Sequence, residues 1–286
     1  MVYRFPAGDR VAALSDDGNA AGSSVSGESW LFSRGVRTAV PLAEALGVND
    51  EGQVVGFAGG FFPLARLFNS ADGAITDLGT LGGGQSVARA INSEAQVAGS
   101  SSLAGNQTIH AFRWARGVMQ DLGTLGGNGN SFGNAIDGEG RVAGIAVTPS
   151  GDGHAFVFDE GGMHDLGTLP GCNRSEATAM NKDGAIVGLA DLCSTNAARA
   201  FLFRKRTLHD LNDLVAPAAD GFIYGRATGI DDEGTIIGSE LASPHFVCRL
   251  DDAPMRDDQP PPPVAACGSR LDAQSSGRFI FLSSAI

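Results

Sequence analysis

Basic residues are scarce in this chain. Its 286 residues include 20 Lys and Arg against 32 Asp and Glu, which gives a formal net charge of −12. Nucleic-acid binding depends on clustered Lys and Arg that neutralise phosphates, so we expect no nucleic-acid partner. The chain also has no apolar run close to the roughly 18 residues that a membrane-spanning helix needs. We therefore expect no membrane span.

Several sequence signatures are missing as well. The N-terminus shows no signal peptide, because it lacks the charged and then apolar layout of one. None of the four cysteines forms a C-x-x-C pair, which argues against a zinc cluster. No P-loop, dinucleotide-binding turn, zinc-protease helix or serine-hydrolase elbow is present. No segment sustains a 3.6-residue period, so few helices are expected. These absences leave the reaction unnamed.

The chain instead contains about six imperfect copies of one motif. The clearest copy has four β-rich runs, at residues 86–92, 96–100, 110–114 and 119–127. Gly, Asn, Asp and Ser separate the runs, which is the pattern of a four-stranded blade. The spacing between copies is roughly 45 residues, as in propeller blades. It is marked by the second-run glycines Gly22, Gly56, Gly99, Gly144, Gly188 and Gly238.

The motif predicts an all-β fold. A single blade cannot bury both of its faces, so neighbouring copies must stack on it. Small residues in the first run, such as Ala88 and Ala90, fit the crowded axis of a ring. We predict a β-propeller of six four-stranded blades, with seven possible, in preference to a linear β-solenoid.

The repeats are expected at about residues 10–42, 43–85, 86–130, 131–174, 175–224 and 225–250. Residues 251–286 are interpreted as a proline-rich linker followed by a C-terminal strand that packs on the propeller. Residues 2–5 match the third run of a repeat, so we expect the chain to begin within a blade. Its N-terminal strand is then predicted to complete the last blade and close the ring.

The repeated tripeptide carries a family resemblance. His-Ala-Phe occurs at residues 110–112 and 154–156, and Asp-Leu-Gly-Thr-Leu recurs behind it. These motifs resemble the bacterial HAF family of probable extracellular repeats, over roughly residues 10–250. The resemblance implies an exported protein, extracellular or periplasmic. It implies no activity.

The cysteines bear on the compartment. Cys172 and Cys193 fall inside one repeat, whereas Cys248 and Cys267 bracket the proline run. Two local disulfides fit this placement, one of three possible connectivities, and would indicate an oxidising compartment. Four ordinary buried thiols are the alternative.

The residue that ends the first run is polar in all six copies. If the first strand is innermost, these side chains ring one mouth of the channel, and their oxygen atoms suit Ca²⁺ as a cofactor. The alternative is hairpin chemistry, because Asn or Asp shortly before Gly forms tight turns. Ser15 is the first of the six, and the predicted metal ligands are Asn49, Asn92, Asp137, Asn181 and Asp231.

Two other recurring positions are interpreted as structural. Asp77, Asp121 and Asp165 open Asp-Leu-Gly-Thr turns, where a carboxylate caps backbone N–H groups. His110 and His154 begin the third run at a position that other repeats fill with different side chains. We expect that position to lie at the rim of a blade.

Two classes of function are consistent with these features. The first is a Ca²⁺-assisted hydrolase of lactones or esters at the channel mouth, similar to six-bladed lactonase-type propellers. Asp137 and Asp231 are then the predicted catalytic residues, a small molecule is the partner, and the chain is a monomer. The second is a non-catalytic exported binding or adhesion scaffold. The predicted substrate-binding residues of the hydrolase are Arg89, Asn134, Thr178 and Thr228.

Overall fold

The computed structural model describes residues 5–6, 8–194, 197–214, 223–239 and 245–249. This part of the chain is almost entirely β-strand, and its only helix is the single turn α1 (Leu211–Leu214). The strands are β1 (Arg10–Leu14), β2 (Ala20–Ser23), β3 (Ser29–Ser33), β4 (Val36–Ala39), β5 (Glu44–Val48), β6 (Gln53–Ala58), β7 (Leu64–Asn69), β8 (Ile75–Asp77), β9 (Gly82–Ile91), β10 (Val97–Leu103), β11 (Ile109–Ala115), β12 (Val118–Asp121), β13 (Ser131–Ile136), β14 (Val142–Val147), β15 (Gly153–Asp159), β16 (Gly162–Gly167), β17 (Cys172–Met180), β18 (Ile186–Cys193), β19 (Arg199–Arg204), β20 (Thr207–Asp210), β21 (Arg226–Ile230), β22 (Thr235–Ser239) and β23 (His245–Arg249).

Consecutive strands pair as antiparallel meanders. The first, second, third and fifth sheets are β1–β4, β5–β8, β9–β12 and β17–β20, each with four strands. Strands β14–β16 form the ladder of the fourth repeat, and the sixth sheet, β21–β23, has three strands among the described residues. The all-β class and the four-stranded blade predicted from the repeat are confirmed.

The chain divides into two compact units. Among the described residues, the first unit contains those up to Gly123 together with Asn130–Gly140, and hence β1–β13. The second contains Thr124–Gly129 and the residues from Arg141 onward, and hence β14–β23. Within each unit, the first strands of successive sheets lie against one another, as β5 does against β9 and β17 against β21. Each hydrophobic core therefore fills the space between neighbouring sheets.

The glycine of the second strand has a structural cause. In the third sheet the register between β9 and β10 shifts so that Arg89 is an extra residue, a β-bulge. A Cβ on Gly99 would collide with the Val87 carbonyl oxygen, and the buried ring of Phe112 packs on the same glycine. Gly22, Gly56 and Gly188 face the carbonyls of Arg10, Glu44 and Glu176 in the same way.

A buried serine clips each of three first strands to the preceding repeat. The Ala155 N–H donates to Ser175 Oγ (2.8 Å), and that hydroxyl donates to the Gly167 carbonyl (2.6 Å). Ser175 thus provides a hydrogen-bond partner for one backbone group of β15 and one of β16. Ser86 and Ser131 make the equivalent pairs of bonds in the first unit.

Cys172 and Cys193 form a disulfide between β17 and β18, where they face each other directly. Cys248 is also disulfide-bonded, and its partner lies outside the described residues. The predicted ring-closing strand at residues 2–5, for all but Phe5, lies outside them too, as do the proline-rich linker and the C-terminal strand. Among the described residues, no helix has the length and apolar character needed to cross a membrane.

Candidate functional site

Two predicted metal ligands of the first unit, Asn49 and Asn92, are buried at the ends of first strands, next to the following sheet. Asn49 Oδ1 accepts the Gln53 N–H (2.9 Å), which closes the hairpin between β5 and β6. Its amide nitrogen donates to the Asn92 carbonyl of the third sheet (3.0 Å). Asn92 repeats this arrangement, accepting from Gln96 N–H (2.8 Å) and donating to the Asp137 carbonyl (2.7 Å). Each asparagine therefore ties one hairpin and one neighbouring sheet.

In the first sheet, two residues share the hydrogen bonds that a single asparagine makes in the second and third sheets. Ser15 Oγ accepts the Asn19 N–H (3.2 Å), so Ser15 holds only its own hairpin. The link to the second sheet comes from Asn19, whose amide nitrogen donates to the carbonyls of Asn49 (3.0 Å) and Asp50 (2.9 Å). The sequence pattern pointed to Ser15 and missed Asn19, because the linking side chain has moved to the other end of the turn.

The second unit uses the same arrangement. Asn181 Oδ1 accepts the Ala185 N–H (3.0 Å), and its amide nitrogen donates to the Asp231 carbonyl (3.1 Å). Asp231 Oδ1 accepts the Thr235 N–H (2.6 Å), while in the first unit Asp137 Oδ1 accepts the Glu139 N–H (3.1 Å). Both predicted catalytic carboxylates thus cap their own turns. The described residues contain no group of three or more His, Cys, Asp or Glu placed to hold a metal ion.

Three of the predicted substrate-binding residues, Arg89, Thr178 and Thr228, lie at the bulge of a first strand. Arg89 is exposed there. Thr178 Oγ1 donates to the carbonyls of Val187 (3.1 Å) and Ala227 (2.7 Å), so it links two sheets of the second unit. Thr228 is exposed and makes a long contact with the Ile237 carbonyl (3.4 Å), and Asn134 is half-buried. Of this set, the exposed Arg89 and Thr228 present polar groups to solvent.

Cross-strand pairs of a basic and an acidic residue join the third strand to the fourth. His110 Nδ1 lies 2.8 Å from Asp121 Oδ1, and His154 Nδ1 lies 2.9 Å from Asp165 Oδ2. Arg199 pairs with the buried Asp210 in the same way. Sequence reasoning placed these histidines at a rim and did not pair them. The available signal was the shared spacing, since each acid follows its base by 11 residues.

The aspartates of these pairs also cap turns, as predicted. The Gly123 N–H donates to Asp121 Oδ1 (2.8 Å), and the Gly167 N–H donates to Asp165 Oδ1 (2.7 Å). Each carboxylate therefore fixes the end of its fourth strand while it holds a histidine on the third. The turn-capping interpretation of Asp121 and Asp165 is confirmed.

The remaining histidines of the second unit lie in three different strands. His164 Nε2 lies 2.9 Å from Asp159 Oδ1, and this hydrogen bond is the main reason that the pKa of Asp159 lies below its usual value. Burial lowers the pKa of His209, which favours its neutral form. Only the backbone of His245 is described.

One ionic network in the fifth sheet was not anticipated. Arg174 donates to Asp191 Oδ2 (2.7 Å) and to Glu176 Oε2 (2.7 Å), next to the disulfide between β17 and β18. All three side chains are partly exposed. The three residues come from two strands and share no motif, so no local pattern could have predicted the network.

Comparison with known proteins extends the fold assignment. No family model and no curated protein matches the chain. Among solved structures, TolB from Acinetobacter baumannii matches with a TM-score of 0.51 and 13% identity, over 71% of this chain and 53% of that one. The fold is a β-propeller. At this identity the likeness shows fold alone, and the chain spans about half the length of TolB.

Two further matches have lower scores. YCF48 bound to D1 peptide gives a TM-score of 0.47 at 11% identity, over 86% of this chain and 79% of that one. Dipeptidyl peptidase 4 of Porphyromonas gingivalis gives 0.46 at 10%, over 84% and 43%. Both are also propeller-like, and neither defines the function of this chain.

Proposed function

We propose that the protein is a non-catalytic binding scaffold whose repeats present variable loops on a constant frame. The observation that carries this proposal is the use of the polar first-strand ends. Asn49, Asn92 and Asn181 direct their amide groups to hairpins and neighbouring sheets, so the polar positions that recur in each repeat serve the fold.

The loops between second and third strands vary instead. They read Gly-Gly-Phe-Phe-Pro at residues 59–63, Ala-Gly-Asn-Gln-Thr at 104–108 and Thr-Pro-Ser-Gly-Asp at 148–152. Variable loops on a fixed framework are the usual site of recognition in repeat and sheet scaffolds. Within one repeat, the recurring polar positions hold the framework and the loops vary, which supports a binding function.

Export is part of the proposal. Disulfides form and persist in oxidising compartments, and the cross-strand disulfide between Cys172 and Cys193 fits that setting. The HAF-like motifs support the same placement.

The predicted hydrolase is the competing function, and the role of Ca²⁺ in it stays a prediction. It is tested by calorimetric Ca²⁺ titration of the chelator-stripped protein, combined with a panel of lactones and esters with and without Ca²⁺. A scaffold gives no Ca²⁺-dependent turnover. Turnover that needs Ca²⁺, is lost in Asp137→Ala and Asp231→Ala, and persists in the surface control Asp72→Ala would overturn the proposal.

A further inference from the structure

The loop between β6 and β7 exposes two neighbouring aromatic rings. Phe61 is 93% exposed and Phe62 is 64% exposed, and Leu64 behind them is 39% exposed. The two rings meet edge to face with centroids 5.6 Å apart. Phe61 is the most exposed of the large hydrophobic side chains in the described residues. The fold gains nothing from a ring held in water.

The other repeats show that the blade does not require this loop. The corresponding loops at residues 104–108 and 148–152 contain no aromatic residue. The second sheet also departs from the repeat in its third strand, where Arg66 occupies the position of the buried Phe112 and pairs with Asp77. The second sheet therefore differs from the other repeats both in this loop and in its third strand.

The base of the loop is held in place. The Ser86 N–H donates to the Pro63 carbonyl (2.8 Å), and the Ala65 N–H donates to Ser86 Oγ (2.9 Å). The loop enters through Gly59, whose φ of +92° suits glycine. Two rings presented from a fixed base lose little conformational entropy on contact.

A second apolar tip lies on the same edge of the first unit. Val25, in the loop between β2 and β3, is 76% exposed. Both loops join a second strand to a third strand, and the first sheet packs against the second. Val25, Phe61 and Phe62 therefore lie on loops at the same edge of the first unit.

The chemistry of the exposed Phe61 and Phe62 rings indicates which kind of partner they can bind. Two phenylalanine side chains offer about 300–500 Å², which is less than the ~800 Å² per partner of a stable protein interface. Residues 59–64 contain no polar side chain to orient a protein partner, whereas a bilayer surface needs none. They contain no Lys or Arg either, and the net charge of −12 opposes an anionic surface.

We propose that Phe61 and Phe62 anchor the protein reversibly at the surface of an uncharged, zwitterionic lipid bilayer. The rings enter the boundary between headgroups and acyl chains, where apolar side chains leave water. The proposal rests on the proposed binding function and names the surface that is bound.

Vesicle binding of the whole chain tests this anchoring. We expect the protein to float with phosphatidylcholine vesicles in excess lipid, and to bind less when phosphatidylserine is added. Phe61→Ser with Phe62→Ser should lower the partition coefficient at least about tenfold, because two apolar rings are lost. Val118→Ser removes an exposed valine at the start of β12, and should leave binding unchanged.

A fluorescent variant gives a second readout. Phe61→Trp should show a blue-shifted emission with phosphatidylcholine vesicles and quenching by brominated acyl chains, while Trp30 and Trp114 give a constant background. Absence of vesicle binding, equal binding by the Ser variant, or a Phe61-dependent contact with a protein in its place would overturn the anchor. None of these results involves Ca²⁺ or turnover, so they leave the test of the scaffold independent.

Discussion

At the scale of single residues, the second-strand glycines show how a missing side chain shapes a blade. In four sheets the bulge of the first strand brings a carbonyl oxygen close to the Cβ position of the glycine, and in three of them an aromatic ring also packs there. The glycine is therefore needed for space, and its φ is not in the left-handed region at Gly99. This explains why Val-x-Gly recurs while its neighbours vary.

Substitution of Gly99 measures that lack of space. Gly99→Ala places a Cβ against the Val87 carbonyl and the Phe112 ring, so we expect a loss of at least about 2 kcal/mol in unfolding free energy. Gly138→Ala is the matched control, since Gly138 has open space around its Cβ position and no positive φ. The control should gain up to about 1 kcal/mol. Urea denaturation of both variants compares them, and equal stability would refute the steric account.

At the scale of elements, hydrogen bonds between strands hold successive repeats in place. The Ser175 hydroxyl accepts a hydrogen bond from β15 and donates one to the last residue of β16, both strands of the preceding repeat. Its side chain is fully buried, so both backbone partners depend on this hydroxyl. The asparagines at the first-strand ends instead link their own hairpin to the sheet that follows.

Removal of one serine tests the clip. Ser175→Ala leaves the Ala155 N–H and the Gly167 carbonyl without this partner, and should cost about 1–3 kcal/mol. Ser150→Ala, on an exposed loop of the same unit, should change stability by less than about 0.5 kcal/mol. Thermal unfolding monitored by circular dichroism compares the two variants. A Ser175→Ala variant as stable as the control would show that the clip contributes nothing.

At the scale of the whole molecule, the cross-strand disulfide ties stability to the redox environment. It closes a segment with a sequence separation of 21 residues between Cys172 and Cys193. Cross-linking restricts the unfolded chain more than the folded one, which favours folding. The exported placement proposed above would preserve this bond.

Replacement of both cysteines tests its contribution. Cys172→Ala with Cys193→Ala should lower the unfolding free energy by about 2–4 kcal/mol under oxidising conditions. Reductant should then lower the stability of the wild type more than that of the double variant, which keeps only the disulfide of Cys248. Calorimetry with and without reductant checks this. An equal response of the two proteins would show that the Cys172–Cys193 bond is not a stabilising link.

The sequence alone determined the repeat, the all-β class and the four-stranded blade. These features follow from local alternation, from turn residues and from a period that one chain displays by itself. The predicted disulfide within one repeat was accessible for the same reason, because Cys172 and Cys193 lie on strands joined by a single hairpin.

Only the tertiary structure decided how the polar groups are used. An asparagine before a tight turn fits a metal ring and a hairpin equally well in sequence, and only the folded chain shows that the Asn92 amide donates to the Asp137 carbonyl, 45 residues away. The exposure of Phe61 was equally inaccessible, since an aromatic residue near a strand reads as core until its neighbours are known. Many partners of a side chain are distant in the sequence and come together only when the chain folds. Sequence patterns reveal only the partners that lie nearby along the chain.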